Sequence, residues 1–565
     1  MTRLLALAAG AALLAGCASV PLEEVEWPPS SVTVLPPTPP SEYRTPAEAS
    51  DYVQTASYDQ TLQFLSWLTN DHDVRVGFFG TTVEGREMPY AAWGTWDAPP
   101  TGLLSSADAV RQSGKTVVLV IGGIHAGEPA GKDAMLALLR DLAAGEHAAW
   151  ADSLVLVVAP IYNADGNEKK AYDNRPLQWG PVGGMGERAN AQGLDLNRDF
   201  VKAASPEARA LVRLIRDLDP HVVVDLHTTD GTPMGYGLTY APGLHPDTPP
   251  AIDADLWDRW LPAISDSLLA QDGVATYHYG NVPGAFGEPA TAPRGWYSFS
   301  AQPRFSTNYA GLRGRYAILS EAYSYASFED RVTASRRFVE EVLDRVWMES
   351  SLIRQRAADA DRQSVVGDTL AVRATWDALP QPVEVLLGEV DTLRHPTSGE
   401  PMLARRDVRI PESMPAFVRF APSETVVAPA SYVVHHGPHQ QAVADLLDLH
   451  GIRYGRQAVW GVARQRFEID SLRVAARPFQ GVATQEVFGR WVPVPAEAGP
   501  MPRLAPALVV PVGQPLGRLA VSLLEPRSDD GVVAWAIVPP GELAAGASAP
   551  IERVPADGTP IGPKR

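Results

Sequence analysis

TVVLVIGGIHAGEPAGKDAM, Thr116 to Met135, is an apolar run that stops at two glycines and then presents His125 and Glu128 three residues apart. Thr116 to Ile121 has strand length and no polar face, the signature of a strand covered on both sides. Runs of the same kind recur at Leu154 to Pro160, His221 to Leu226 and Ala317 to Ser320, with helical patterns between them, notably Ser205 to Leu218 and Ala251 to Ala270. Buried strands alternating with helices predict an α/β fold, a mixed and largely parallel sheet flanked by helices. Ligands in such sheets bind beyond the carboxyl ends of strands, which is where His125 falls.

Outward from that core, Thr45-Pro46-Ala47-Glu48 offers a capping box and predicts a helix from Pro46 to about Trp67. Val74 to Gly94 alternates around a polar turn and predicts a hairpin. Past a helix at about Thr333 to Ala358 the chain changes to short β-rich segments broken by prolines, with one helix near His439 to Leu449. These features divide the chain into an α/β domain over residues 45–345 and a separate, β-rich α+β domain over 365–560.

The 565 residues carry 66 acidic against 48 basic side chains, a formal net charge of -18. Such a surface repels phosphate backbones, so nucleic acid is excluded as a partner. The one cysteine, Cys17, closes MTRLLALAAGAALLAGCASV, where Arg3 precedes an apolar run too short to span a bilayer. The ending Leu14-Ala15-Gly16-Cys17 resembles a bacterial lipobox, which implies a signal peptide over residues 1–17, cleavage before Cys17 and lipid on its thiol. Ala18 in place of an aspartate implies the outer membrane as the address, and the lipid anchor is the expected membrane attachment. Residues 18–44, rich in proline, read as an extended linker.

A histidine and glutamate past a strand can serve only a turn or the next helix N-terminus. His227 changes that reading, because it ends HVVVDLH, a second buried strand. Two histidines and one carboxylate leave one coordination position open, the pattern of catalytic zinc. A ligating histidine donates its other ring nitrogen to a carboxylate, and RANAQGLDLNRDF supplies Asp195 as a candidate. Asn197, Arg198 and Arg188 in the same region can bind carboxylates or steady an oxyanion. Glu321 interrupts the end of the strand in GRYAILSEAYSY, so it lies at a rim or has a function. His435, His436 and His439 in HHGPHQQ have no acids at ligand spacing and read as a solvated loop. There is no HExxH, no GxSxG and no phosphate loop.

The ordered set His125-Ala126-Gly127-Glu128, Arg188, Asp195-Leu196-Asn197-Arg198, His227 and Glu321 resembles the zinc carboxypeptidases related to carboxypeptidase A, over about residues 45–345. Val83-Glu84-Gly85-Arg86 resembles the family's stretch ahead of the first ligand, and LLEPRSDDGVVAW is similar to extended bacterial members. The resemblance implies a carboxypeptidase-like fold and one Zn2+ ion held by His125, Glu128 and His227, with Asp195 orienting His125. It also implies Glu321 as the base, Arg188 at the oxyanion, Asn197 and Arg198 on the terminal carboxylate, and a peptide as substrate. Three departures stand out. Asp199 follows Arg198 where many relatives carry asparagine, and an acid there is expected to neutralise or redirect that arginine; the family's mobile tyrosine is matched by neither Tyr297 nor Tyr309 with certainty; and Thr228-Thr229-Asp230 after His227 is similar to related deacylases. A zinc amidohydrolase on N-acyl amino acids and a catalytically silent binding lipoprotein are the alternatives to an envelope carboxypeptidase.

Overall fold

A computed structural model describes residues 23–24, 43–69, 74–96, 107–285, 291–497 and 505–558. Cys17, the signal segment and most of the 18–44 linker lie outside the described residues, although Glu23–Glu24 pairs in parallel with Val390–Arg394. Among the described residues no helix is long and apolar enough to cross a membrane.

The Thr45 capping box forms, but helix α1 stops after Pro46–Ala49. Helix α2, Tyr58–Leu68, starts afresh at a second capping box from Ser57 to Gln60. The single helix expected over this stretch is therefore two. Asp51 and Tyr52 adopt positive φ between them, and Thr55 and the Ala56 N–H are tied to the buried Asp133 carboxylate, so tertiary hydrogen bonds replace the helical ladder.

An eight-stranded sheet forms the core of the α/β unit. Its strands are β1 (Val74–Thr81), β2 (Glu87–Trp93), β3 (Thr116–Gly122), β4 (Leu154–Ala159), β5 (Val222–Thr228), β6 (Leu238–Pro242), β7 (Thr276–His278) and β8 (Tyr316–Ala322), in spatial order β1-β2-β4-β3-β5-β8-β6-β7. The central run β4-β3-β5-β8 is parallel throughout. Every residue of β3, β4, β5 and β8 is buried, as their unbroken apolar runs require. Helices α3 (Ala130–Ala143) and α5 (Phe328–Arg362) share one apolar cluster with the sheet, and α4 (Pro206–Leu218) joins another. The helix expected at 251–270 runs from Pro250 to Asp272 with a π-helical turn at Asp255–Trp260.

Beyond α5 the chain is β-rich as predicted, but it is not a body apart. Val385, Leu403, Met414 and Val418 share one apolar cluster with Tyr236, Trp257 and Trp296. Residues 431–554 form a six-stranded sheet from β9 (Ser431–Val434), β10 (Gly455–Gln457), β11 (Arg464–Val474), β12 (Gln485–Val494), β13 (Ala507–Pro511) and β14 (Ser548–Val554), ordered β10-β13-β9-β14-β11-β12. Its helix α6, Gln440–His450, packs on α4. The apolar faces of these helices merge into a single cluster with residues of β3 and β4, and burying them is what removes the separation expected from composition.

Candidate metal centre

The parallel register places His227 directly opposite Glu321 on β5 and β8. Gly122 at the end of β3 pairs with Leu226, so His125 emerges at the same carboxyl edge three residues later. Gly123, at φ 68, turns the chain there. Gly127 is required for a different reason: a Cβ on it would lie 2.5 Å from Arg175 Nε and 2.7 Å from the Gly186 carbonyl.

His125, Glu128 and His227 converge. His125 Nδ1 lies 3.0 Å from Glu128 Oε1, His227 Nδ1 lies 2.9 Å from Glu128 Oε2, and the two Nδ1 atoms are 3.1 Å apart. Among the described residues this is the one cluster of three or more such donors close enough to hold a metal ion. The opposite ring nitrogens are committed. His125 Nε2 lies 2.9 Å from Asp195 Oδ1, and His227 Nε2 lies 2.9 Å from Asp225 Oδ2. With both Nε2–H groups donating to carboxylates, the Nδ1 lone pairs face each other and the Glu128 carboxylate. Three acceptors sharing one buried centre call for a cation, and two imidazoles with one carboxylate suit zinc with an open position.

The charges around the centre agree with that demand. Burial works against ionised Glu128, but the neighbouring His125 and the Arg175 guanidinium outweigh it and hold the carboxyl well below its usual range. Arg175 Nη2 donates to Glu128 Oε1 at 2.6 Å, and the Thr228 N–H donates to Oε2 at 3.0 Å. For His227, burial opposes the charged form, yet the Asp225 and Glu128 carboxylates raise its pKa well above the ordinary histidine value. A cation takes over the role of that proton. Glu321 is buried beside His227 without being a second carboxylate of the cluster. Burial pushes it up to about 8, with the Glu128, Asp230 and Asp225 charges adding to the effect and His227 opposing it. A divalent ion nearby draws such a group back down.

Asp195 ties the centre to its arginines. Its Oδ2 accepts from Arg188 Nε at 3.1 Å and Nη2 at 2.8 Å, and its Oδ1 also accepts the Asn197 N–H at 2.9 Å. Those bonds leave Arg188 Nη1 aimed at the donor cluster, 3.2 Å from His125 Nδ1 and 3.5 Å from Glu128 Oε1. Arg198 stacks 4.2 Å over the Phe305 ring and keeps its distance from Asp195 Oδ2 at 3.6 Å. Asn197 is engaged through its Oδ1, which accepts the Ser306 N–H at 2.9 Å.

The structure corrects one expectation and closes one open choice. Asp199 does not face Arg198; it is fully buried, ion-paired with Lys202, and accepts from the Ala204 and Ser205 N–H groups. The acid anchors the turn before α4 and leaves Arg198 unneutralised. Neither Tyr297 nor Tyr309 is at the centre. Tyr297 stacks on Phe417 at 4.3 Å, and the Tyr309 hydroxyl is within 2.8 Å of His450 Nδ1 in the interface with α6.

Four residues were missed. Tyr279 follows β7, and burial, then the Glu321, Asp230 and Glu128 charges, raise its phenol pKa well above the ordinary value. Asp225 sits two residues before His227, so the period of a strand places both on one face. Arg175 and Gln480, whose Oε1 accepts the Asp195 N–H at 2.8 Å, arrive from loops without a local signal. The histidine-rich loop finds its acids at a distance: His435 pairs with Glu552 at 3.0 Å and His439 with Glu542 at 2.8 Å, as separate ion pairs.

Comparison with known proteins finds similarity over part of the chain. Residues 62–256 match the family model described as zinc carboxypeptidase, a stretch that contains the metal-facing triad and the arginines but not Glu321. A stretch of 150 residues, 26% of this chain, is 35% identical to a probable carboxypeptidase 2 of Arthroderma benhamiae, of which it covers 23%. Carboxypeptidase 2 of Trichophyton tonsurans is 34% identical over 150 residues, with 26% of this chain and 23% of that protein covered. The matched part of the chain thus spans about a quarter of the length of these relatives. A metallo-carboxypeptidase from Burkholderia cenocepacia superposes with a TM-score of 0.39 at 19% identity, covering 52% of this chain and 70% of that one.

Proposed function

We propose that this chain is a zinc metallocarboxypeptidase that removes the C-terminal residue from peptides at the cell envelope. The observation that carries the peptide-terminus reading is the cationic side of the centre. Arg198 is largely buried, its partial partner Asp195 stands off at 3.6 Å and is already bound by Arg188, and the charges of Arg188 and Arg304 crowd it. A desolvated guanidinium in that setting is stabilised by an incoming carboxylate, which pairs with it in a bidentate fashion.

His125, Glu128 and His227 would hold the zinc ion, which would supply Lewis acidity and acidify an attacking water. Arg198 grips the terminal carboxylate and so fixes which peptide bond reaches the centre. Arg188, held by Asp195 through Nε and Nη2, offers Nη1 to the developing oxyanion. Glu321, on the strand beside His227, accepts the water proton and delivers it to the departing amine nitrogen. The rest of the peptide has room: a cavity of about 620 Å³ opens beside Arg188, lined also by Asp230, Asn281 and Tyr325. The envelope address rests on the Cys17 lipobox.

Peptides with a free C-terminus and their amides separate this reading from the amidohydrolase one. Strong loss of cleavage on amidation is expected; equal rates on both forms would overturn the carboxypeptidase assignment.

A further inference from the structure

The β11–β12 hairpin is at the edge of the C-terminal sheet and continues past its strands to a tight tip. Phe479 and Val482 exchange backbone hydrogen bonds of 2.8 and 3.0 Å, and the two residues between them, Gln480 and Gly481, have φ of 51 and 73. This is the mirror-image hairpin turn whose first position normally carries asparagine or glycine. A glutamine there runs against local preference, and strained positions of this kind cluster where the side chain has a task. The Gln480 side chain crosses to the α/β unit, where its Oε1 accepts the Asp195 N–H at 2.8 Å. Gly481 faces Leu194.

A second set of contacts reaches the other segment beneath Arg198. Asp530 accepts the Arg304 N–H at 2.7 Å and pairs with its guanidinium at 2.9 Å, while Arg304 Nη2 donates to the Asp529 carbonyl at 3.1 Å. The Trp535 ring lies 4.8 Å from the Arg304 guanidinium and 5.2 Å from Lys202 Nζ. Arg304 precedes Phe305, the ring on which Arg198 rests, and Ser306, which holds Asn197. Both the start of the Asp195-to-Arg198 turn and the floor under Arg198 are thus fixed by residues more than 270 positions later in the chain than Arg198.

We infer that this face of the C-terminal unit is a wall of the substrate site, and that Gln480 is a positioning residue that sets Arg198 for the terminal carboxylate. The inference rests on the carboxypeptidase reading and gives the C-terminal unit a part in substrate recognition. Gln480 touches neither the metal ligands' inward nitrogens nor Glu321, so its loss should weaken binding of the free carboxylate and leave metal content intact.

Gln480→Asn in the full-length chain is the decisive variant, because asparagine suits the turn better than glutamine but is one methylene too short to reach Asp195. With an N-acetyl tripeptide, the expected result is a KM about fivefold higher, from one lost hydrogen bond, with kcat within twofold, zinc content unchanged and thermal stability equal or higher. A purely structural role predicts the reverse, a neutral or stabilising change with KM unmoved. Calorimetric binding of the same tripeptide to Glu321→Gln and to Glu321→Gln/Gln480→Asn gives a reading independent of turnover, and the double variant should bind about fivefold more weakly. KM and binding both within twofold, or a fall in zinc content, would overturn the inference. Wild-type cleavage of the tripeptide amide as fast as the acid would instead overturn the parent reading.

Discussion

Asp195→Asn is the substitution from which most can be learned, because one carboxylate serves both halves of the site. Oδ1 faces His125 Nε2 at 2.9 Å and the Asn197 N–H at 2.9 Å, while Oδ2 takes two bonds from Arg188 at 3.1 and 2.8 Å. Asparagine keeps the shape but has only one oxygen. If that oxygen stays with His125, its NH2 group confronts the Arg188 donors; if it flips, the imidazole loses its acceptor. One charge-assisted set is lost in either orientation, at about 1.5–3 kcal/mol, which is roughly a 10- to 150-fold effect. Zinc affinity measured by chelator competition should fall about 10- to 100-fold, the usual consequence of losing a ligand's outer partner. At saturating zinc, kcat/KM should still be reduced, because Arg188 Nη1 is no longer steered by its two anchored nitrogens. Zinc affinity and kcat/KM both within twofold of wild type would refute the view that Asp195 organises this centre.

Glu321→Gln should lose about 10²- to 10⁴-fold in turnover while retaining zinc by metal analysis, since the carboxylate is a base and not a ligand; loss of zinc from the folded variant would contradict that role. Arg198→Lys should raise KM for free-carboxylate peptides about tenfold, a point charge replacing a planar fork, with little change for amidated ones. Asp247 gives a pH prediction away from the site. Burial raises its pKa from 3.8 to about 7, against the Ala371 N–H it accepts and the Arg518 charge. Between those two values the folded state holds more protons than the unfolded one, so this group's contribution falls as pH rises through that window, on the order of 4 kcal/mol above it. Asp247→Asn should therefore raise the melting temperature at pH 8 and not at pH 4; equal shifts at both would reject the linkage.

The centre was legible because its chemistry lies at strand ends. His125 and His227 each terminate an apolar run, and in a parallel sheet those ends share one edge, so residues 102 apart in the chain could be paired from pattern alone. Asp225 was equally accessible through strand periodicity. Arg175 was not, because a loop brings it to Glu128 and no spacing announces that. Tyr279 was hidden for a related reason: seven tyrosines lie between His227 and Glu321, and it is tertiary packing that buries Tyr309 against His450 and stacks Tyr297 on Phe417. The split between α1 and α2 was also invisible, since it depends on Asp133 capturing Thr55 and Ala56 from a distant helix. At the domain level, proline-broken β segments suggested a separate body, but apolar residues of α4 and α6 close into one core, and composition does not reveal which faces meet.

The most direct test of the central claim is a crystal structure of the purified protein with anomalous scattering recorded at the zinc edge. A single strong peak about 2.0–2.2 Å from His125 Nδ1, a Glu128 oxygen and His227 Nδ1 is the predicted result. A zinc peak at His435 and His439 instead, or none in protein that hydrolyses peptides, would contradict it.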